Sequence, residues 1–171
     1  LKDDSSEMVL PDSVVPLDLL VVEDDAVNQF TLRTLLKKAR HRCVCVSNGR
    51  QAIEALLMYP FDCIVTDIQM PVMDGVELAL RIRQGNTVDI EPTAETRGLL
   101  RAAGKKDGGP RMPISRDIPI VALTAHAMSG DKERFLGMGM DYYLSKPVNT
   151  QELVATLAHI SLLLHSRTTY M

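Results

Sequence analysis

Short apolar runs alternate with amphipathic stretches along most of this chain, and no other feature constrains its fold as strongly. Leu17–Glu23, Cys43–Val46, Asp62–Thr66, Ile118–Leu123 and Tyr142–Ser145 read as strands. Runs this apolar are the pattern of strands buried on both faces. Between them lie helical patterns. Phe30, Leu35, Leu36 and Ala39 mark one over Asn28–Arg40, and Ile53, Leu56 and Leu57 mark the next. A third helix runs from Asp74 to about Arg83, a fourth over Ser129–Met138, and a last one carries Leu153, Leu157, Ile160 and Leu164 in a stripe. Asn48/Gln51, Asp74/Glu77 and Asn149/Glu152 have the spacing of helix N-caps. Five such strand–helix units in series predict an α/β domain, a parallel sheet with helices on both faces and right-handed crossovers.

A length of 171 residues suits one domain. Residues 1–16 are polar and interrupted by Pro11 and Pro16, so they read as a linker; the domain is expected over 17–165, with a tail at 166–171. A start at Leu1 is expected of a fragment of a longer protein, and the residues after Lys146 leave no room for a DNA-binding output domain. The segment 84–117, between the third helix and the fourth strand, holds five of the ten glycines and three prolines. Such a long connection is unusual in a compact domain. It is expected to be a surface insertion at the strand-start face, remote from the chemistry and removable, with a short helix near Ala94–Ala103; a partner-docking element is the alternative.

A net charge of -3 argues against nucleic acid as the main partner. No apolar run approaches the ~20 residues that span a bilayer, so no direct membrane contact is expected. Cys43, Cys45 and Cys63 form no CxxC pair and read as reduced, buried small residues, which points to the cytoplasm.

Polar residues end the apolar runs at the same place each time. Glu23 and Asp24 follow the first strand, Asp67 the third, Thr124 the fourth and Lys146 the fifth. In a doubly wound sheet these ends open onto one edge, where ligands bind. Three carboxylates in one cleft repel one another unless a cation offsets them. Hard oxygen ligands without nearby Cys or His point to Mg²⁺ or Mn²⁺. Asp67 is then the candidate nucleophile for an acyl phosphate, with Lys146 and Thr124 as donors to phosphoryl oxygens. Taken singly, each residue has an ordinary structural reading: a cap for Asp25, a turn for Asp67, a solvated surface charge for Lys146. Their joint occurrence at successive strand ends is what carries the inference.

The motifs Leu20-Val21-Val22-Glu23-Asp24-Asp25, Val65-Thr66-Asp67-Ile68-Gln69-Met70-Pro71-Val72-Met73-Asp74-Gly75, Ile120-Val121-Ala122-Leu123-Thr124-Ala125 and Tyr143-Leu144-Ser145-Lys146-Pro147 resemble those of response-regulator receiver domains. The resemblance covers about Leu17–Leu164 without the insertion. It implies a flavodoxin-like (βα)5 fold with strand order 2-1-3-4-5. It also implies Asp67 as phosphoacceptor, and a metal held by Asp24, Asp67 and the backbone carbonyl of Gln69, with Glu23 assisting. Thr124 and Lys146 would bind the phosphoryl group, Lys146–Pro147 would be cis, and Thr124 with Tyr143 would form the switch. Glu23-Asp24, Asn28-Gln29, Thr124-Ala125-His126-Ala127 and Gly139-Met140-Asp141 look most like receivers at the C-terminus of hybrid sensor histidine kinases. Departures are Asp25 where Asn is frequent, Tyr142 where an acid is frequent, and the insertion.

The function expected is phosphoacceptance in a two-component phosphorelay, from a histidine kinase or histidine phosphotransfer domain. As an isolated domain the chain would catalyse only its own phosphorylation and dephosphorylation; the parent would be a histidine kinase, with a membrane-bound sensor kinase carrying this part in the cytoplasm as one form of it. A stand-alone single-domain regulator acting by partner binding is the alternative. An aspartyl-phosphate phosphatase of the haloacid dehalogenase type would want a second Asp where Gln69 stands.

Overall fold

The computed structural model describes residues 14–106, 109–125 and 130–168. In chain order the elements are β1 (Asp18–Val22), α1 (Ala26–Lys38), β2 (Arg42–Val46), α2 (Gly49–Met58), β3 (Cys63–Asp67), α3 (Gly75–Gln84), α4 (Ala94–Ala102), β4 (Ile120–Thr124), α5 (Asp131–Leu136), β5 (Tyr142–Ser145) and α6 (Thr150–Thr168). The strands form one parallel sheet in the order β2-β1-β3-β4-β5. This is the flavodoxin-like arrangement expected from the sequence.

The strand interiors are apolar because both faces of the sheet are covered. Leu20, Val22, Val44, Val46, Ile64, Ile120 and Ala122 point into one core, which α2 to α5 complete through Ile53, Leu56, Leu78, Ile82, Leu100 and Phe135. Leu19, Val21, Cys45, Cys63, Val65, Val121 and Leu123 point into the other, closed by Leu32 and Leu36 of α1 and by Leu153, Leu157 and Ile160 of α6. All three cysteines are free thiols.

Helix starts follow the caps read from the sequence. Asn48 Oδ1 accepts from the Gln51 N–H at 2.9 Å, Asp74 Oδ1 from Glu77 at 2.8 Å, and Asn149 Oδ1 from Glu152 at 3.0 Å. Each satisfies a backbone donor left open by the first helical turn. The last helix extends through Thr168, past the expected boundary at 165. The fourth helix is shorter than expected, and residues 126–129, including His126, lie outside the described residues.

The insertion departs most from expectation. Its short helix is present as α4, but this packs on α2 and β2 instead of standing off the surface. Ile90 and Leu100 are 1% and 0% exposed, so the segment supplies core. The buried Glu54 of α2 accepts from the Thr93 N–H at the N-cap of α4. Past the helix, Lys105 Nζ reaches Asp18 Oδ1 of β1 at 3.0 Å and the Tyr59 hydroxyl at 3.2 Å. Burial raises the Asp18 pKa, but Arg42, Lys105 and Tyr59 outweigh it and hold the carboxyl at about 2. At the far end, Arg83 of α3 donates to the carbonyls of Arg116 and Ile118 and pairs with Asp141 at 2.8 Å. With Ile90, Thr96 and Leu100 buried and with ties to β1 and α3, the segment is more than the surface loop its Gly and Pro content suggested.

His41 is 4% exposed, and its Nδ1 accepts from the Leu17 N–H at 3.0 Å, where the chain enters β1. That bond puts the ring proton on Nε2, which has no partner among the described residues. Burial, with Arg42 alongside, lowers its pKa below the ordinary 6.5. The unfolded chain therefore takes up a proton before the folded one. The stability this implies is fully present above the unfolded value and is lost as pH falls below it. Urea midpoints are expected to fall between about pH 7.5 and about pH 5.5, and to fall less in His41→Gln. An identical pH dependence in the variant would remove His41 from this role.

Candidate functional site

The carboxyl ends of β1, β3, β4 and β5 bring the polar residues together at the edge of the sheet. β3 lies beside β1, with Val22 opposite Thr66, so Glu23 and Asp24 come to face Asp67. One carboxylate oxygen from each of the three lies within 4.8 Å of the others. β5 lies beside β4, with Thr124 opposite Ser145, which sets Lys146 at the same edge. Lys146 N–H donates to the Thr124 carbonyl at 2.7 Å, and the Lys146–Pro147 peptide is cis.

Lys146 reaches into the acidic cluster. Its ammonium is 3.0 Å from Asp67 Oδ2 and 3.0 Å from Glu23 Oε2, the latter on a side chain only 1% exposed. Burial alone would lower the ammonium pKa; Asp67 and Glu23 overcome that and raise it. Asp67 Oδ1 accepts from the Ile68 N–H at 2.7 Å, which sets the carboxylate plane. Glu23 Oε1 accepts from the Asp25 N–H at 3.2 Å. Asp25 itself caps α1 by accepting from Asn28 at 2.8 Å, the structural role its position suggested.

The loop after Asp67 is tightly routed. Gly75 N–H donates to the Ile68 carbonyl at 2.8 Å, and a Cβ at Gly75 would collide with the Asp67 carbonyl oxygen. Only glycine permits that approach of α3 to the Asp67 backbone. Val72 in the same loop has φ 68°, a left-handed conformation uncommon for a β-branched residue. Gln69 is exposed two residues after Asp67. Thr124 is 4% exposed at the end of β4. Tyr143 stacks on Phe135 with ring centroids 5.6 Å apart. Burial and then the Asp131 carboxylate push its phenol pKa up, while a hydrogen bond with Thr124 works in the opposite direction.

The arrangement fits a hard divalent cation. With all three carboxylates ionised, one ammonium leaves the cluster with an excess of negative charge. The clustered ligand atoms include no sulfur or imidazole. The sequence placed the acids and the lysine at one edge, but it did not show that Lys146 bridges Glu23 and Asp67. Nor did it show the part played by Gln29, whose amide donates to the Glu23 carbonyl at 2.6 Å. The only sequence signal for Gln29 was its place in the Asn28-Gln29 pair.

Comparison with known proteins agrees with this geometry. Residues 19–93 match the response regulator receiver domain family. The hybrid signal transduction histidine kinase I of Dictyostelium discoideum is 36% identical over 147 residues, which is 82% of this chain and 7% of that relative. The sensor histidine kinase GacS of Pseudomonas protegens is 35% identical over 135 residues, 79% of this chain and 12% of the relative. The chain thus spans only a small part of the curated relatives it matches. Among solved structures, the receiver domain of a sensor histidine kinase from Pseudomonas aeruginosa, with a magnesium ion coordinated in its active-site cleft, superposes with a TM-score of 0.62 at 30% identity, covering 86% of this chain and 98% of that one. A Saccharomyces cerevisiae receiver domain, crystallised with a histidine phosphotransfer signaling protein, gives a TM-score of 0.66 at 27% identity, covering 88% of this chain and 92% of that one. The chain belongs to the response regulator receiver domains of two-component signalling. Its sequence relatives are the receiver regions of hybrid histidine kinases.

Proposed function

We propose that Asp67 is the phosphoacceptor, taking a phosphoryl group from a phosphohistidine in a Mg²⁺-dependent step. The observation that carries this reading is the Asp67 carboxylate held between Lys146 at 3.0 Å and the Ile68 N–H at 2.7 Å, facing Glu23 and Asp24. Asp24, Asp67 and the Gln69 carbonyl would hold Mg²⁺ (or Mn²⁺), with Glu23 assisting through water. When bound, the cation offsets negative charge on the carboxylates and phosphoryl oxygens. An Asp67 oxygen attacks phosphorus in line; the imidazole N–P bond breaks as the acyl O–P bond forms, and the ring leaves with a proton. Lys146 exchanges contacts with Glu23 and Asp67 for phosphoryl oxygens, and the Thr124 hydroxyl donates to another. Movement of Thr124 toward the phosphoryl group would draw on its contact with Tyr143, which makes the pair the switch.

The donor is proposed to be a histidine kinase or a histidine phosphotransfer domain, by analogy with the partner of the yeast receiver. The parent is proposed to be a hybrid sensor histidine kinase working from the cytoplasm. No described helix is long and apolar enough to cross a membrane. Neither nucleic acid nor direct membrane contact has a place in this reading. The domain, expected over 17–165, is proposed to run on to the end of α6 at Thr168, with the 84–117 segment inside it.

The test is incubation with acetyl phosphate and Mg²⁺ and an intact-mass readout. One added phosphoryl group is expected, removable by hydroxylamine as an acyl phosphate should be and lost when EDTA is present from the start. No mass gain, or a gain resistant to hydroxylamine, would remove acyl-phosphate chemistry from this chain.

A further inference from the structure

Phosphoacceptor chemistry leaves Gln29 without a task, yet its side chain sits at the root of the acidic cluster. Gln29 lies in the first turns of α1, where its own N–H bonds the Asp25 carbonyl at 2.9 Å. Its Nε2 turns back over the helix start, donates to the Glu23 carbonyl at 2.6 Å and reaches the Val46 carbonyl at 3.4 Å. The Val46 carbonyl also accepts from the Glu23 N–H at 3.0 Å. One amide thereby ties together the ends of β1 and β2 and the first turns of α1.

Between β1 and α1 the chain has only Glu23, Asp24 and Asp25. Two of these place carboxylates against Asp67, and like charges brought together push the turn apart. Holding such a turn before a cation arrives needs a neutral anchor that is not itself a ligand. A charged anchor would compete with the cation for the carboxylates, whereas an amide gripping backbone carbonyls takes up none of their oxygens. The Gln29 donor meets both conditions.

We infer that Gln29 is a positioning residue that holds the Glu23–Asp24 turn in the conformation able to take a divalent cation opposite Asp67. It touches neither the cation nor the phosphoryl group. The inference rests on the reading of Glu23, Asp24 and Asp67 as a cation site, and its test separates the two. Mg²⁺ is titrated into wild type, Gln29→Met and Gln29→Asn, following backbone amide shifts of Asp24 and Asp67 by NMR. Asn keeps the amide but is one methylene too short to reach the Glu23 carbonyl. Both variants are expected to bind Mg²⁺ about ten-fold more weakly than wild type, the size of effect known for residues that orient metal ligands. Their loss of phosphorylation rate should be greatest at limiting Mg²⁺ and shrink as Mg²⁺ saturates. Without metal, amide hydrogen exchange at Asp24 and Asp25 should quicken in both, a change that a general loss of stability would spread over β1. Wild-type affinity in either folded variant overturns the positioning role. A wild type that binds no Mg²⁺ overturns the cation site itself.

Discussion

Asp67→Asn is expected to gain no phosphoryl group under conditions in which wild type gains one, while keeping the wild-type fold by circular dichroism. The substitution keeps the side chain's shape and the acceptor for the Ile68 N–H at 2.7 Å, but removes the carboxylate that attacks phosphorus. The loss should therefore appear in phosphorylation and not in the fold. Asp24→Asn is the informative contrast. It removes one of three clustered charges, so it should weaken Mg²⁺ binding and slow labelling without abolishing it. Undiminished labelling of Asp67→Asn would move the phosphoacceptor elsewhere. Undiminished Mg²⁺ affinity in Asp24→Asn would count against a site shared by the three acids.

The second large effect is on stability and lies in the insertion. Replacing its helix and flanks with a short Gly-Ser connection would expose the core positions that Ile90 and Leu100 cover. It would also strip Lys105 from Asp18 and leave the buried Glu54 without its Thr93 partner. The shortened protein is expected to lose cooperative unfolding. The single change Leu100→Ala should cost about 2–5 kcal/mol in urea unfolding, as core truncations do. Val88→Ser, at a position 80% exposed, should leave the midpoint where it is. A shortened protein with the wild-type midpoint would restore the insertion to the status of a surface loop.

These expectations separate what is local from what is not. The β3 segment could be recognised because a strand buried on both faces needs an uninterrupted apolar run, and Cys63–Val65 supplies one that ends at Thr66 and Asp67. The α2, α3 and α6 starts were legible because an N-cap bonds a backbone N–H three residues on, well inside the reach of one side chain. The acids and Lys146 could be assigned to one edge because parallel strands joined by right-handed crossovers all end on the same side.

The insertion was misread for the complementary reason. Glycine and proline report backbone freedom, but they say nothing about where Ile90 and Leu100 come to rest. Their burial in the core shared by the sheet and α2 to α5 depends on residues dozens of positions away. The clasp of Lys105 on Asp18 joins residues 87 apart and has no local pattern. The same holds for Lys146, which meets Glu23 across 123 residues, and for the His41 ring that caps the entry to β1. The sequence by itself determined the strand–helix rhythm, the helix caps and which polar side chains arrive at the functional edge, because each follows from periodicity or from contacts a few residues long. Only the tertiary structure decided that the insertion contributes core residues, that Lys146 bridges two acids and that Gln29 grips the ends of two strands. Those outcomes depend on distances between elements, which are set when the two faces of the sheet are packed.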